Sequence, residues 1–276
     1  MRLATVRTSS GTRAVRIDGS AAIEIDAPDV GTLLTDPTWR TRAERASGSE
    51  LDVATLDYAP LVPRPEKIVC VGLNYRNHIL EMGRALPEHP TLFAKYPPAL
   101  IGARDDIMLP RVSGMTDWEV ELAVIIGAPA RHVSEDDALV AIAGYSVLND
   151  VSVRDYQYRT LQWLQGKTFE SSTPLGPALV TPDECDHARG LEVVCEVDGE
   201  QMQKAVTSDL VHAPAALVSY MSDIFTLMPG DVIATGTPGG VGAARNPPRF
   251  LKDGNVVVTR IEALGECRNP CRAEPA

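Results

Sequence analysis

Two glutamates separated by one residue have a spacing that suggests chemistry. Glu119 and Glu121 lie in segment 117–126 (DWEVELAVII), which predicts a β-strand because apolar and β-branched residues dominate it and Gly127 follows. Residues two apart in a strand point to the same face, with Cα atoms about 7 Å apart. Such carboxylates repel each other unless a cation lies between them, and oxygen ligands suit Mg²⁺, Mn²⁺ or Ca²⁺. The alternative is a solvated strand face that carries two glutamates.

A third carboxylate, Asp150, comes directly after a predicted strand over 144–148. An aspartate at a strand end is well placed to complete a set of three oxygen ligands. The positions four, seven and eight residues further on are polar as well: Arg154, Gln157 and Tyr158. This spacing predicts that Asp150 and these residues form one stripe of one helix, facing either solvent or a polar site.

His78 and Glu81 are three residues apart in a polar segment that follows a predicted strand over 67–72. In a helical turn both lie on one face, where the carboxylate orients the imidazole. This pairing prepares a histidine for general-base catalysis, and the alternative is a surface histidine near a surface glutamate. The next stretch, 83–90, has a glycine, two prolines and no periodicity, so we expect a mobile loop.

Two further features suggest contacts to an anion. Lys167 follows a glycine between apolar residues and is a candidate site cation, although most single lysines are solvated. Segment 232–242 (VIATGTPGGVG) predicts a strand that ends in a glycine-rich loop, whose backbone N–H groups can hold an anion. Thr235, Gly236 and Thr237 lie where the strand becomes the loop. It is not a Walker-type phosphate loop, because no G-K-[ST] follows.

Composition and charge limit the partners. The chain has 276 residues, 44% of them hydrophobic, which is enough for one large core and a small accessory domain. Its 26 basic and 37 acidic residues give a formal net charge of −11. This argues against nucleic acid, because phosphate binding needs a basic face. An anionic substrate stays compatible, because a bound cation reverses the local sign.

The chain shows no apolar run that predicts a signal sequence or a membrane span. Its five cysteines include no C-x-x-C pair, which predicts reduced thiols rather than a disulfide framework or a zinc cluster. They are Cys70, Cys185, Cys195, Cys267 and Cys271. We therefore expect a cytoplasmic protein with no membrane partner.

Prolines divide the chain into two parts. Three of the six residues in 60–65 are prolines, which indicates an extended linker. We therefore predict a small β-rich N-terminal module over 1–62 and a catalytic domain over 63–276. In the second part a hairpin over 191–206 and a final strand over 255–261 add to many short strands. Strands without βαβ alternation predict a mostly β (α+β) fold.

The motifs occur in a recognisable order. They are GLNY at 72–75 with His78, Glu81 and Met82; Asp117 with EVEL at 119–122; NDVS at 149–152 with Arg154 and Gln157; Gly166-Lys167; and TGTPGGVG at 235–242. Together they resemble the fumarylacetoacetate hydrolase family, in its shorter bacterial acylpyruvase-like branch, over about residues 66–270. The resemblance implies a rolled, barrel-like mixed sheet and a homodimer.

The resemblance also implies a role for each site residue. The metal ligands would be Glu119, Glu121 and Asp150, and the metal Mg²⁺, with Mn²⁺ or Ca²⁺ as alternatives. The catalytic residues would be His78, Glu81 and Lys167. The substrate contacts would be Arg154, Gln157, Tyr158, Thr235, Gly236 and Thr237. The substrate would be a small anionic oxo acid.

The activity expected from this set is hydrolysis of a C–C bond in a 2,4-dioxo acid of the acylpyruvate type. His78, oriented by Glu81, would activate water, and the metal would stabilise a pyruvate enolate. The alternative is a decarboxylase or isomerase of a 2-oxo dicarboxylic acid, such as oxaloacetate or 2-hydroxyhepta-2,4-dienedioate, because these reactions form the same kind of enolate. A third possibility is a non-catalytic metal-binding or scaffolding protein.

Overall fold

The computed structural model describes residues 1–81 and 83–275. Met82, which belongs to the first motif, and Ala276 lie outside the described residues. Strands prevail, in agreement with the predicted mostly β class. No described helix is both long and apolar enough to cross a membrane.

Eighteen strands form within the described chain. In the first half they are β1 (Arg2–Thr8), β2 (Gly11–Asp18), β3 (Ala21–Glu24), β4 (Glu50–Asp52), β5 (Ile68–Gly72), β6 (Thr91–Lys95), β7 (Leu100–Ile101), β8 (Ile107–Leu109), β9 (Thr116–Asp117) and β10 (Val120–Ile126). In the second half they are β11 (Ile142–Asn149), β12 (Ser152–Val153), β13 (Thr173–Val180), β14 (Glu192–Val197), β15 (Glu200–Val206), β16 (Val232–Ala234), β17 (Val256–Ile261) and β18 (Gly265–Ala273).

The α-helices are short. They are α1 (Val30–Leu34), α2 (Trp39–Glu44), α3 (Arg76–Glu81), α4 (Glu135–Ala141), α5 (Arg154–Gln157), α6 (Leu164–Lys167), α7 (Pro182–Cys185) and α8 (Pro214–Ile224). The acidic first turn of α4 follows an N-cap at Ser134, whose side chain accepts a hydrogen bond from the backbone N–H of Asp137 at 3.1 Å. Pro214 opens α8, as expected for proline in a first turn.

Eleven strands share one mixed sheet, in the order β4-β3-β2-β1-β13-β11-β10-β16-β5-β6, with β7 added beside β13. A five-stranded sheet has the order β15-β14-β17-β18-β8, and β12 pairs with β9. These orders are open at both ends, so the sheets form no closed barrel among the described strands. The N-terminal strands continue the large sheet, because β1 pairs with β13. The division at residues 62 and 63 stays a prediction.

Strand β10 lies inside the large sheet, and both of its faces are buried. On one face, Val120, Leu122 and Val124 pack into one apolar core. On the opposite face, Ala123 and Ile125 pack into a second core. A strand between two cores is strongly held in register, because a slip of one residue would exchange its two faces. The side chains at its N-terminal end are therefore rigidly placed.

Three local predictions were wrong. The strand predicted over 117–126 is interrupted, because β9 ends at Asp117 and β10 begins at Val120. Asp150 is not on a helix: the residues after it pair as β12 with β9, and helix α5 begins only at Arg154. The strand over 255–261 is not the last, because β18 follows it. The pairing of β18 with β17 and β8 outweighs its charged and proline-containing sequence.

Candidate metal centre and catalytic cavity

Three carboxylates meet where β10 and β11 run side by side. The register pairs Val120 with Asn149, which brings Asp150 next to Glu119. The backbone N–H of Asp150 donates to the carbonyl oxygen of Glu119 at 2.8 Å. Glu119, Glu121 and Asp150 are all buried, and one carboxylate oxygen from each lies within 4.8 Å of the others. Two strand ends thus supply the predicted set of three carboxylates.

Two buried lysines contact this set. Lys167 Nζ lies 2.6 Å from Glu119 Oε2 and 2.8 Å from Asp150 Oδ2. Lys95 Nζ lies 2.6 Å from Asp150 Oδ1 and also donates to the carbonyl oxygen of Val151 at 3.1 Å. Both oxygens of Asp150 are therefore held by an ammonium group. Lys167 was predicted as a site cation, whereas Lys95 was not.

A buried arginine fixes the other side of Glu119. Arg154 Nη1 lies 2.6 Å from Glu119 Oε1, and its Nε donates to Asp117 Oδ2 at 2.8 Å. Arg154 Nη1 also donates to Gln157 Oε1 at 2.8 Å. Asp117 accepts further hydrogen bonds from the backbone N–H groups of Gly242 and Ala243. This network ties the carboxylate of Glu119 to both α5 and the glycine-rich loop.

The pKa values of Glu121 and Asp150 shift in opposite directions. Burial, together with the negative charges of Asp150 and Glu119, raises the pKa of Glu121 well above its usual range. Burial also opposes the ionisation of Asp150, but Lys167 and Lys95 outweigh it and lower the pKa of Asp150. The lysines thus compensate one side of the set and leave Glu121 repelled by its neighbours. A cation between the three oxygens would remove that repulsion.

The donor set fits a hard divalent cation. All three ligands offer carboxylate oxygen, the ligand type that Mg²⁺, Mn²⁺ and Ca²⁺ prefer. Ligands about 2.1 to 2.5 Å from a cation lie up to roughly 4 to 5 Å apart, which agrees with the 4.8 Å limit of this cluster. Charged and backbone donors orient the ligand oxygens, as outer-shell partners do in metal sites. The cluster is thus suited to a divalent metal.

The glycine-rich loop positions Glu121. The backbone N–H of Gly236 donates to Glu121 Oε2 at 2.7 Å, and the Thr235 hydroxyl donates to the carbonyl oxygen of Leu122 at 3.0 Å. Gly236 has φ +101°, and a Cβ there would lie 2.9 Å from the Cβ of Asn74, so glycine is required. The loop therefore supplies a backbone donor to a predicted metal ligand.

A cavity of about 620 Å³ opens beside the carboxylates. The predicted site residues that line it are His78, Glu119, Glu121, Arg154, Gln157, Tyr158, Lys167 and Thr237. Asp150, Thr235 and Gly236 are buried outside this lining, and Glu81 is exposed. The structure thus brings most of the predicted residues around one cavity, while Thr235 and Gly236 bind to β10 and Glu121 rather than line it.

His78 lies on the wall of this cavity, on α3. The glycine-rich loop passes close to it: a Cβ on Gly239 would lie 3.0 Å from His78 Nδ1 and 3.7 Å from Glu81 Oε2. Burial lowers the pKa of His78 and the positive charge of Arg84 adds to this effect, while the carboxylates of Glu81 and Glu119 oppose it. The imidazole is therefore neutral near pH 7, as a general base must be.

One polar atom of the site has no partner. Arg154 Nη2 is buried and makes no hydrogen bond within the described residues. A buried unpaired donor is costly, so such an atom indicates a missing acceptor. Because Arg154 lines the cavity, an oxygen atom of a bound anion can supply that acceptor.

Sequence reasoning missed Lys95 and Asp117 as parts of the site. Lys95 ends a strand directly after the apolar residues Leu92, Phe93 and Ala94, and a lysine in that context was the available signal for a buried, paired cation. Asp117 stands two residues before Glu119, and the same period-two argument that linked Glu119 with Glu121 includes it. A third residue, Arg84, lines the mouth of the cavity and comes from the loop predicted to be mobile.

A mixed β fold with a buried acidic cluster beside a cavity that carries a histidine, a lysine and an arginine is an arrangement suited to an enzyme with a divalent metal site. The family described as fumarylacetoacetate (FAA) hydrolase C-terminal matches residues 67–272. The chain therefore belongs to the fumarylacetoacetate hydrolase family, as the resemblance implied.

Named relatives in this family have different activities. The human mitochondrial protein oxaloacetate tautomerase FAHD2A is 44% identical over 228 residues, covering 81% of this chain and 73% of that protein. The structure of 2-hydroxyhepta-2,4-diene-1,7-dioate isomerase from Mycobacterium marinum is 31% identical, with a TM-score of 0.81 and full coverage of both chains. Maleylpyruvate hydrolase from Sphingobium sp. SYK-6, in complex with manganese (II) ion and pyruvate, is 29% identical, with a TM-score of 0.84 and full coverage of both. The relatives are enzymes, and their reactions differ.

Proposed function

We propose that this protein is a divalent-metal-dependent tautomerase or isomerase of a 2-oxo dicarboxylic acid, with oxaloacetate as the type substrate. The observation that carries the proposal is that a neutral histidine, a lysine and an arginine line one cavity beside three carboxylates. The 44% identical tautomerase and the 31% identical isomerase support this reaction class over hydrolysis.

Glu119, Glu121 and Asp150 would hold the metal, for which we propose Mg²⁺, with Mn²⁺ or Ca²⁺ as alternatives. When bound, the metal would act as a Lewis acid toward the 2-oxo group. Arg154 Nη2 would donate to an oxygen of the substrate, which satisfies the unpaired donor. Lys167 uses two of its three N–H donors on Glu119 and Asp150, so the third can point to the substrate's 2-oxo oxygen.

The proton moves in two steps. Neutral His78 takes a proton from C3 of the substrate, and the electrons of that C–H bond form a C2=C3 double bond. The carbonyl π electrons move to the 2-oxo oxygen, where Lys167 and Arg154 stabilise the negative charge. The His78 imidazolium then returns its proton, to that oxygen in a tautomerase or to another carbon in an isomerase. Glu81 would orient His78 throughout.

The second candidate is hydrolysis of an acylpyruvate, the activity that the sequence first suggested. The 29% identical maleylpyruvate hydrolase, whose structure contains manganese (II) and pyruvate, favours it. In this reaction His78 would take its proton from water instead of from C3. The hydroxide would attack the 4-carbonyl, and the C–C bond would break with its electrons passing to the pyruvate enolate.

The experiment follows deuterium exchange at C3 of oxaloacetate by NMR, with Mg²⁺ and purified protein. We expect Mg²⁺-dependent exchange that is faster than the pyruvate release measured in the same sample. A parallel assay follows loss of the enol absorbance of an acylpyruvate together with release of pyruvate. Rapid acylpyruvate cleavage without C3 exchange of oxaloacetate would establish the hydrolase instead, and neither activity with intact metal binding would favour a non-catalytic role.

Assembly and compartment remain proposals. The family resemblance implies a homodimer, which light scattering on the purified chain can test against a monomer mass of 29.7 kDa. The cytoplasmic location predicted from the sequence differs from the mitochondrial one in the name of the human relative. Imaging of the tagged full-length protein in its host would decide between them.

A further inference from the structure

Arg84 is a cation at the mouth of the catalytic cavity. Its side chain lines that cavity together with His78, Arg154 and Lys167. Arg154 and Lys167 are paired with buried carboxylates. Among residues 1–81 and 83–275, no acidic side chain forms a salt bridge with Arg84. Among the described lysines and arginines that line the cavity, Arg84 is therefore the one without a carboxylate partner.

The backbone ties Arg84 to the helix that carries His78. Gly83 has φ +67°, and its N–H donates to the carbonyl oxygen of Leu80 at 2.9 Å. The N–H of Arg84 donates to the carbonyl oxygen of Ile79 at 3.2 Å. These two bonds close the C-terminal end of α3 in the way that a left-handed glycine commonly does. The position of Arg84 relative to His78 is thus set by the helix end rather than by a free loop.

The buried charges can balance only one carboxylate of a substrate. Four carboxylates surround the inner end of the cavity, and three cations are paired with them, which leaves one negative charge. The carboxylates are Asp117, Glu119, Glu121 and Asp150, and the cations are Lys95, Lys167 and Arg154. A divalent cation changes this balance to one positive charge, which a single substrate carboxylate neutralises. A second carboxylate therefore needs a cation from outside the buried set.

We infer that Arg84 binds the second carboxylate of a 2-oxo dicarboxylate and makes this enzyme select dicarboxylic over monocarboxylic oxo acids. The inference rests on the proposed function, since it names the substrate class of the same cavity. The guanidinium offers a planar pair of donors that matches a carboxylate in a bidentate pair. Arg84, Arg154 and His78 line the same cavity, so a substrate that binds both arginines would lie in the cavity that also carries the proposed base.

The test compares two oxo acids that cannot tautomerise. They are 3,3-difluorooxaloacetate, with two carboxylates, and 3,3,3-trifluoropyruvate, with one, and neither has a C3–H bond. Binding to the Mg²⁺-loaded full-length protein is measured by calorimetry. We expect Arg84→Gln to lower the affinity for difluorooxaloacetate about tenfold, the order expected for one charge-assisted pair at a cavity mouth. The affinity for trifluoropyruvate should fall less than about twofold. Arg84→Lys should fall between the wild type and Arg84→Gln.

Arg76→Gln is the matched control, because it removes the same charge from an exposed position on α3, the helix that precedes Arg84, but outside the cavity lining. We expect it to leave both affinities unchanged. Three results would overturn the role of Arg84. They are an equal loss of affinity for both ligands in Arg84→Gln, an equal loss in Arg76→Gln, and a wild type that binds neither ligand.

The same measurements separate this inference from the proposed function. Selective loss of difluorooxaloacetate binding in Arg84→Gln, together with no C3 exchange of oxaloacetate by the wild type, would support Arg84 and reject the tautomerase. C3 exchange by the wild type with no ligand discrimination by Arg84→Gln would reject Arg84 alone.

Discussion

The two ends of the catalytic cavity are built in different ways. At the inner end, Asp150 and Glu119 each have both carboxylate oxygens bound to a lysine or an arginine, and they adjoin the ends of β10 and β11, which pack between two apolar cores. At the outer end, His78 and Arg84 belong to the six-residue helix α3 and the turn that follows it. The inner end is thus fixed by the large sheet, and the outer end by a single helical turn.

This difference matches the two tasks of the proposed function. Holding a small cation requires oxygen atoms at fixed distances, so rigid strands suit the carboxylates. Admitting a substrate and moving a proton requires an accessible base, so a short helix at the cavity mouth suits His78. Mutations at the inner end should therefore reduce metal binding as well as activity. Mutations at the outer end should change activity or substrate choice and leave metal binding intact.

The largest effect is expected at the inner end, for Glu121→Gln. The variant loses one metal ligand, and we expect kcat/KM to fall at least about a thousandfold because a Lewis acid contributes several kcal/mol. Calorimetric titration with Mg²⁺ should show a parallel loss of affinity. In chelator, urea unfolding should give a free energy of unfolding at or above that of the wild type, because burial and repulsion raise the pKa of Glu121. Wild-type metal affinity in this variant would contradict the ligand assignment.

At the outer end, His78→Gln should remove the base without touching the metal ligands. We expect turnover to fall by about a hundredfold to ten-thousandfold, the usual contribution of general-base catalysis. Mg²⁺ affinity measured by the same titration should stay within about twofold of the wild type. Full turnover in this variant would contradict the role of His78, and loss of Mg²⁺ affinity would contradict the separation of the two ends.

Lys95→Met tests how strongly the inner end depends on buried pairing. The Lys95–Asp150 pair is fully buried, so removing the ammonium group leaves an under-compensated charge, and we expect a loss of about 3 kcal/mol in the free energy of unfolding. The control is Lys204→Met, which breaks a pair with Glu192 whose side chains are 53% and 42% exposed. It should cost less than about 1 kcal/mol. Urea unfolding in the presence of a metal chelator measures the free energy of unfolding of both variants. Equal losses would show that burial of the pair is unimportant.

The pH profile tests the outer end through the charge of His78. Burial lowers the pKa of His78 from its ordinary value of 6.5. Because only the neutral imidazole accepts a proton, kcat/KM should fall as the pH drops through that lowered pKa, with its midpoint below pH 6.5. Glu81→Gln removes a negative charge and should move the midpoint lower, whereas Arg84→Gln removes a positive charge and should move it higher. Shifts in the opposite directions would contradict this arrangement of charges around His78.

The smallest effect is expected for Tyr158→Phe. Tyr158 lines the cavity but is 66% exposed, so its hydroxyl remains available to water. We expect KM and kcat to change less than about threefold, since exposed substitutions cost at most about 0.5 kcal/mol. Steady-state kinetics with oxaloacetate would reveal a larger change, which would indicate that the side chain closes over bound substrate.

Much of the site could be predicted because it depends on short-range patterns. The period of two along a strand predicted that Glu119 and Glu121 act together, and the strand end at Asn149 predicted Asp150 as their partner. The hairpin predicted over 191–206 was also confirmed, because β14 pairs antiparallel with β15. The roles of Arg154 and Gln157 came from the family resemblance, and they remain predictions.

The other parts depend on pairing between distant segments. A helix from Asp150 onward was predicted wrongly, because the pairing of β12 with β9 competes with local helical spacing. Strand β18 was missed, because its partners β17 and β8 rather than its own residues make it a strand. Lys95 was missed as a site residue for the same reason: its partner Asp150 is 55 positions away in the sequence.

The sequence by itself determined the acidic set, the mostly β class and the family, because these follow from residue types at short spacing and from the order of motifs. Only the tertiary structure decided which charges are paired and which are left free. A lysine beside a carboxylate, a buried guanidinium nitrogen with no partner in the described part of the chain, and an arginine at a cavity mouth are all defined by distances across the fold. Pairing and burial set the energy of a charge, and neither is a local property of the chain.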